Sequence, residues 1–348
     1  MKVTFVCDTL GSGGAERVIS LLSNNFVSRG YGVSLIMLSN EAGKPFYELD
    51  EKINLIYLNQ NEKMSFSKKA KALKRKILDI NPDVVISFLS YVCIYTWWAL
   101  RHTKISYIVS ERNDPNQRNF LKQKLLNRSF RHASGCVFQT QDALEWYKNI
   151  AKRNAVVIHN PVCLDYSPSK IEGRKKQVLY VGRLTDQKNC LMLVDAFNLF
   201  HKKHPDFTLK MYGNGPLHDK IIEKVKNLKL EEKVYIVSSS KKWQLAEYNS
   251  SMFVLPSKYE GMPNVLAEAL CLGMPSCSTN CTIGGPKELK KLFPNQLVLS
   301  QSIDCKSFLE AMNQCAKIKV KHPEIPHELE IKTISDKWVE LIEQVARK

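Results

Sequence analysis

EGMPNVLAEALCLGMPSCSTNCTIGGPKEL, Glu260 to Leu289, is the stretch on which the fold turns. It follows an apolar run, MFVLPS, and begins in a loop, KYEGM. Pro263 is well placed as the first residue of a helix, because its fixed φ suits a helix start and its missing N–H is not needed there. Gly273 and Pro275 end that helix. Strand, loop, helix and a second apolar run, PSCST, together make one βαβ step of a parallel sheet. Two acids belong to this step: Glu260 ahead of the helix and Glu268 in its second turn, with seven residues between them. Carboxylates are directional acceptors for sugar hydroxyls, and the N–H groups of Gly261, Met262 and Asn264 at a helix start favour a neighbouring phosphate. The plain alternative is one acid near a helix start and another on its solvated face.

The same alternation extends in both directions. Towards the N-terminus, VTFVC, VSLIML, INLIYL, VVISF, ISYIVS, GCVFQT and AVVIHN are separated by helical patterns such as AERVISLLSNNFVSRG. After the polar stretch YSPSKIEGRKKQ the series restarts with VLYVG, TLKMYG, VYIVSS and MFVLPS. A chain of 348 residues is long for one core and suits two. The expected organisation is α/β: two doubly wound domains over residues 1–168 and 169–326, and a helical tail over 327–348 whose Ile331, Ile334, Trp338, Leu341, Ile342 and Val345 share one side. Open parallel sheets bind ligands beyond the carboxyl ends of their strands, so motifs of interest should follow strands, and a cleft between two such domains is the expected site.

Three further loops meet that condition. GSGGAERV follows the first strand and opens a helix; Glu16 stands where a dinucleotide fingerprint needs glycine, yet Gly13 and Gly14 still let a ligand approach backbone N–H groups. YVGRLTDQKN sets Arg183 and Lys188 in one turn, a fork and a point charge that suit a diphosphate, with solvated surface charge as the alternative. MYGNGP brings Gly213 to a strand end, where a flat base could lie near the backbone or an ordinary turn could form.

A net charge of +17 and a pI near 9.3 call for an anionic partner: nucleic acid, a membrane surface or a phosphorylated substrate. The densest cluster, KKAKALKRK from Lys68 to Lys76, lies in a helix whose Phe66, Ala70, Leu73, Ile77 and Ile80 form an apolar side. It reads as a helix packed on a sheet with a solvated lysine face, or as one that also meets anionic headgroups. No aromatic residues interleave with these cations, which argues against nucleic acid. VVISFLSYVCIYTWWAL, Val84 to Leu100, reads as a core strand and helix rather than a membrane span, since NPD ahead of it marks a turn. MKVTFVCD turns polar at once and reads as a first strand rather than a secretory leader, so the expected location is cytoplasmic. The ten cysteines show no C-x-x-C pair and read as reduced core residues.

With these motifs in place, the chain resembles the family 4 retaining glycosyltransferases, on GGAERV, SERNDP (Ser110–Pro115), GRLTDQKN, YGNGP and above all residues 260–289. The resemblance covers nearly the whole chain and implies the GT-B fold: two facing Rossmann-like domains, the first for an acceptor and the second for a nucleotide-sugar, with a C-terminal helix crossing back. It implies that Glu260 faces the donor sugar and Glu268 holds the ribose. Arg183 and Lys188 would bind the diphosphate and stabilise the departing phosphate; Gly13 and Gly14 would lie beside the reacting centre; Gly261, Met262 and Asn264 would give backbone contacts. Many members place a histidine where this chain has Glu111 and Arg112, and members of this SER type extend sugars on polyprenyl-diphosphate carriers in O-antigen, capsule or glycan assembly. The implied partners are a UDP-sugar, a lipid-linked saccharide and, peripherally, the anionic inner face of the plasma membrane. No metal cofactor is implied, and the chain has no D-x-D. A nucleotide-sugar epimerase of the same fold is the second reading, and a nucleic-acid-binding protein the third.

Overall fold

The computed structural model describes residues 1–39, 44–58, 64–166, 168–171, 173–240, 242–320 and 322–346; Ser167 and Glu172 of the polar linker lie outside them. The chain forms two compact units, Met1–Pro161 with Glu328–Lys348, and Val162–His327. The first boundary therefore falls at Pro161/Val162 rather than 168/169. The physical reason is that the start of the linker is tied to the second unit, where the Asp165 N–H donates to Gln244 (2.8 Å) and Tyr166 packs on Tyr248.

Among the described residues, unit 1 carries a seven-stranded parallel sheet in the order β3-β2-β1-β4-β5-β6-β7. Its strands are β1 (Lys2–Cys7), β2 (Gly32–Met37), β3 (Asn54–Tyr57), β4 (Val84–Phe88), β5 (Ser106–Ser110), β6 (Gly135–Phe138) and β7 (Ala155–Val157). Helices α1 (Gly14–Ser28), α2 (Phe66–Ile80), α3 (Ser90–Leu100), α4 (Phe120–His132) and α5 (Gln141–Tyr147) connect them. β4 is buried along its whole length, which is why VVISF is apolar without alternation. The run Val84 to Leu100 thus divides into β4 and α3 as expected, and among the described residues no helix is long and apolar enough to cross a membrane. α2 buries Ala70, Leu73 and Ile77 and packs on α3, which packs on α4.

Unit 2 carries a six-stranded parallel sheet in the order β10-β9-β8-β11-β12-β13. The strands are β8 (Lys175–Val181), β9 (Thr208–Tyr212), β10 (Val234–Val237), β11 (Ser250–Leu255), β12 (Ser276–Thr279) and β13 (Leu297–Ser300). Its helices are α6 (Cys190–Lys203), α7 (His218–Asn227), α8 (Trp243–Glu247), α9 (Asn264–Cys271), α10 (Gly285–Leu292) and α11 (Cys305–Cys315). α9 starts one residue later than expected, because Pro263 keeps an extended ψ of 108° and acts as the N-cap. Gly273 ends it in the left-handed region at φ 73°, as glycine can without strain.

The last helix, α12 (Ile331–Ala346), belongs to unit 1 and packs on α1, so the tail crosses back as expected. Trp338 is the reason: fully buried, it lies 5.6 Å from Phe88, which meets Phe5 edge-on, and Phe5 stacks on Phe26 of α1. Truncating such a tryptophan costs about 3–5 kcal/mol, enough to hold one helix in place.

Candidate active site

In each unit the strand order reverses once, between β1 and β4 and between β8 and β11. Loops leaving neighbouring strands in opposite directions open a crevice at that point, so each unit offers one place where backbone and side chains from two loops converge.

In unit 2 the two loops are residues 182–189 and 256–263, and they hold the principal candidates. They are laced together: the Lys258 N–H donates to the Gln187 carbonyl (2.8 Å), Gln187 Nε2 to the Tyr259 carbonyl (3.1 Å), and Lys258 Nζ pairs with Asp186 (2.8 Å). Across this lacing Lys188 Nζ meets Glu260 Oε1 at 2.5 Å, with side chains only 12% and 9% exposed. Arg183 is exposed and touches Gln187 Oε1 at 3.4 Å, leaving its guanidinium on the surface of the same loop. Thr185, between the two cations in sequence, has a buried hydroxyl with no hydrogen-bond partner among the described residues.

Glu268 is 2% exposed and accepts from Gln244 Nε2 at 3.1 Å, so it is a held, buried acid and not one on a solvated helix face. Met262 is buried, and Gly261 and Asn264 are half-buried at the start of α9. The position of this loop depends on Gly284 and Gly285, which the sequence reading passed over. Gly284 caps α10 at φ 71°, and a Cβ on Gly285 would collide with the Gly261 carbonyl. Gly213 is buried, and a Cβ there would collide with the Gly182 carbonyl. Its smallness lets the ends of β8 and β9 close together.

In unit 1, Gly13 and Gly14 stand exposed at the start of α1, with the Glu16 carboxylate folded over Gly13. Asp8, directly after β1, accepts from Ser39 Oγ and hydrogen-bonds Tyr91 of α3; burial and this acid push the Tyr91 phenol up. An acid immediately beyond a central strand was a legible signal that the motif search missed.

Glu111 and Arg112 follow β5 and do not pair with each other through their side chains. Glu111 Oε1 accepts from Arg118 (2.8 Å) and from the N–H groups of Arg112 and Asn113, while Oε2 accepts from the Tyr147 hydroxyl (3.1 Å). That carboxylate is a structural anchor between the end of β5, the segment leading into α4, and α5. Arg112 lies 4.0 Å over the Phe88 ring and donates through Nη1 to Asn160 (2.5 Å). Desolvation pulls its pKa down to about 9.

What the arrangement in unit 2 can do is hold anionic oxygens against the cations of the 182–189 loop while buried acids accept hydroxyls. Residues 166–330 match the family model described as Glycosyl transferases group 1, and residues 12–166 match Glycosyltransferase Family 4. The chain is 26% identical to an uncharacterized glycosyltransferase of Haemophilus influenzae, over 93% of this chain and 92% of that one. It is 27% identical, over 99% of both chains, to the GalNAc-alpha-(1->4)-GalNAc-alpha-(1->3)-diNAcBac-PP-undecaprenol alpha-1,4-N-acetyl-D-galactosaminyltransferase of Campylobacter jejuni. In fold it is similar to Anabaena HepE in complex with UDP and glucose, with a TM-score of 0.80, 16% identity and 99% of each chain covered.

Proposed function

Because the chain belongs to the glycosyltransferases, with a family 4 N-terminal part, a group 1 C-terminal part and the GT-B fold, we propose the following reaction. A hexose or N-acetylhexosamine passes from a UDP-sugar to a polyprenyl-diphosphate-linked saccharide, with retention at the anomeric carbon. The observation that carries the donor side is the Lys188–Glu260 pair, set across the two loops of the unit 2 switch point. Lys188 has three donors, so one ammonium can serve a carboxylate and a phosphate together. As the bond from the anomeric carbon to the phosphate oxygen breaks, that oxygen gains negative charge, which Lys188 and Arg183 absorb. Glu260 accepts from hydroxyls of the sugar, Glu268 from the ribose, and Gly213, Gly261, Met262 and Asn264 supply backbone. The acceptor hydroxyl attacks from the face the phosphate is leaving, and its proton passes to the departing phosphate oxygen. In this reading the protein needs no nucleophile and no metal ion.

The acceptor side rests on unit 1, with Gly13 and Gly14 beside the reacting centre. A lipid carrier is supported by the Campylobacter relative, whose name specifies a PP-undecaprenol acceptor. Peripheral attachment to an anionic membrane face is supported by the cations of α2 and by the tip of α4. There Phe120 and Leu121, 84% and 67% exposed, adjoin Lys122 and Lys124.

Thermal unfolding against a panel of UDP- and GDP-sugars tests the donor, followed by transfer of the stabilising sugar to a polyprenyl-diphosphate-linked saccharide. UDP-sugars should stabilise wild type and fail to stabilise Glu268→Ala. A UDP-sugar converted to its epimer without any acceptor would replace this reading with the epimerase.

A further inference from the structure

Among the described residues, Arg112 makes no ion pair at salt-bridge distance. Its nearest acid in sequence, Glu111, has both carboxylate oxygens occupied by Arg118, Tyr147 and two backbone N–H groups. Among the described residues its side chain hydrogen-bonds from Nη1 to Asn160 Oδ1, a neutral acceptor that also receives Gln139 Nε2 (2.7 Å). The other two guanidinium nitrogens, Nε and Nη2, are buried and have no hydrogen-bond partner among the described residues. Unmet buried donors are uncommon in native proteins, and on a charged group they carry a desolvation penalty of the whole ion. The two unmet donors are also not scattered. Nε–H and Nη2–H point along the same edge of the planar fork, the edge that a carboxylate or phosphate meets with two parallel hydrogen bonds. Phe88 covers one face of the guanidinium and Asn160 fixes its far end, so the free edge is held in one orientation. The position is equally specific: Phe88 is the last residue of β4, Arg112 follows β5, and β4 borders the β1/β4 switch point of unit 1.

We propose that Arg112 is an anion seat on the acceptor side, whose Nε–H and Nη2–H edge receives one oxyanion carried by the acceptor. The inference rests on the reading of unit 1 as the acceptor domain and deepens it. An oxyanion can come from the diphosphate of a lipid carrier or from the carboxylate of an acidic sugar. Arg112 thereby discriminates charged from neutral acceptors, since a neutral acceptor leaves the cation unmet.

Thermal unfolding tests this with saturating UDP in every arm, so that the phosphate site of unit 2 is already filled. Wild type, Arg112→Met and Arg112→Lys are titrated with inorganic pyrophosphate and, separately, with D-glucuronate. Without added anion Arg112→Met should unfold at or above the wild-type temperature, because it removes a buried guanidinium with two unmet donors. Wild type should be stabilised by at least one of the anions, and Arg112→Met should need at least tenfold more of it for the same shift. Arg112→Lys, which keeps the charge and loses the fork, should fall between; it carries the comparison if the methionine variant does not fold. A response to pyrophosphate identifies the carrier phosphate as the source, and a response to glucuronate an acidic sugar. Equal anion responses in wild type and variants overturn the proposal, as does absence of any anion response in wild type. The shift produced by UDP alone in wild type reports separately on the donor reading.

Discussion

Lys188→Met tests both the fold and the chemistry of the unit 2 site. Lys188 and Glu260 meet at 2.5 Å with side chains 12% and 9% exposed, so removing the ammonium strands a nearly buried carboxylate. Breaking a buried pair costs about 3–5 kcal/mol, and the residual exposure places this one near the lower end, about 3 kcal/mol. Unit 2 spans 166 residues (327 − 162 + 1). In a domain of that size 1 kcal/mol moves Tm by about 2–4 °C, so the variant should lose about 6–12 °C in the unit 2 transition. Calorimetry that resolves the two units is the assay. Lys188→Met/Glu260→Leu should recover most of the loss, because an apolar pair needs no desolvation of charge. Turnover should fall by about 10²–10³ in both the single and the double variant, since the cation facing the departing phosphate is absent in each. Additive stabilities with a coupling below about 0.5 kcal/mol would refute the pair. Wild-type turnover in Lys188→Met would refute its role.

Three other outcomes follow from particular contacts. Gly285→Ala should lower the Tm of unit 2 and raise the KM for the nucleotide-sugar together, because the new Cβ meets the Gly261 carbonyl and displaces the loop that carries Glu260; unchanged kinetics would detach that loop from the site. Phe120→Ser/Leu121→Ser should reduce flotation with anionic liposomes while leaving UDP-sugar stabilisation intact, and equal recovery with neutral and anionic vesicles in wild type would dismiss the membrane face. Glu247 has a lowered pKa: burial pulls it up, but hydrogen bonds from Lys210 (2.6 Å), Gln177 (2.6 Å) and Tyr212 (2.8 Å) outweigh that. A depressed carboxylate contributes stability above its unfolded value that is lost as pH falls through the folded one, so Glu247→Gln should flatten the acid side of the unit 2 stability curve in calorimetry.

What could be read from residues alone follows the range of the forces involved. Strand and helix identity in 84–100 and 260–275 was legible because apolar runs, Pro263 and Gly273 act on their own few residues. Pro263 was misplaced by one position, since an N-cap and a first helical residue differ only in ψ. The burial of Glu268 was not legible, because its Gln244 partner lies 24 positions away and nothing between them marks the contact. Gly284 and Gly285 carry no local signal of a role; only the approach of α10 to Gly261 gives them a purpose. SERNDP shows the same limit most clearly. Glu111 stands beside one arginine and seven residues from another, and the sequence does not tell which of them it meets. The helix start at Phe120 instead brings Arg118 over it. That choice separates an anchored acid from an unmatched cation, and it turns on where α4 begins. Side-chain roles at a strand end therefore depend on the helix that leaves it. In unit 2 the two loops of the switch point pair opposite charges, whereas in unit 1 Arg112 follows β5, one strand beyond the reversal, and keeps two guanidinium nitrogens unmet among the described residues.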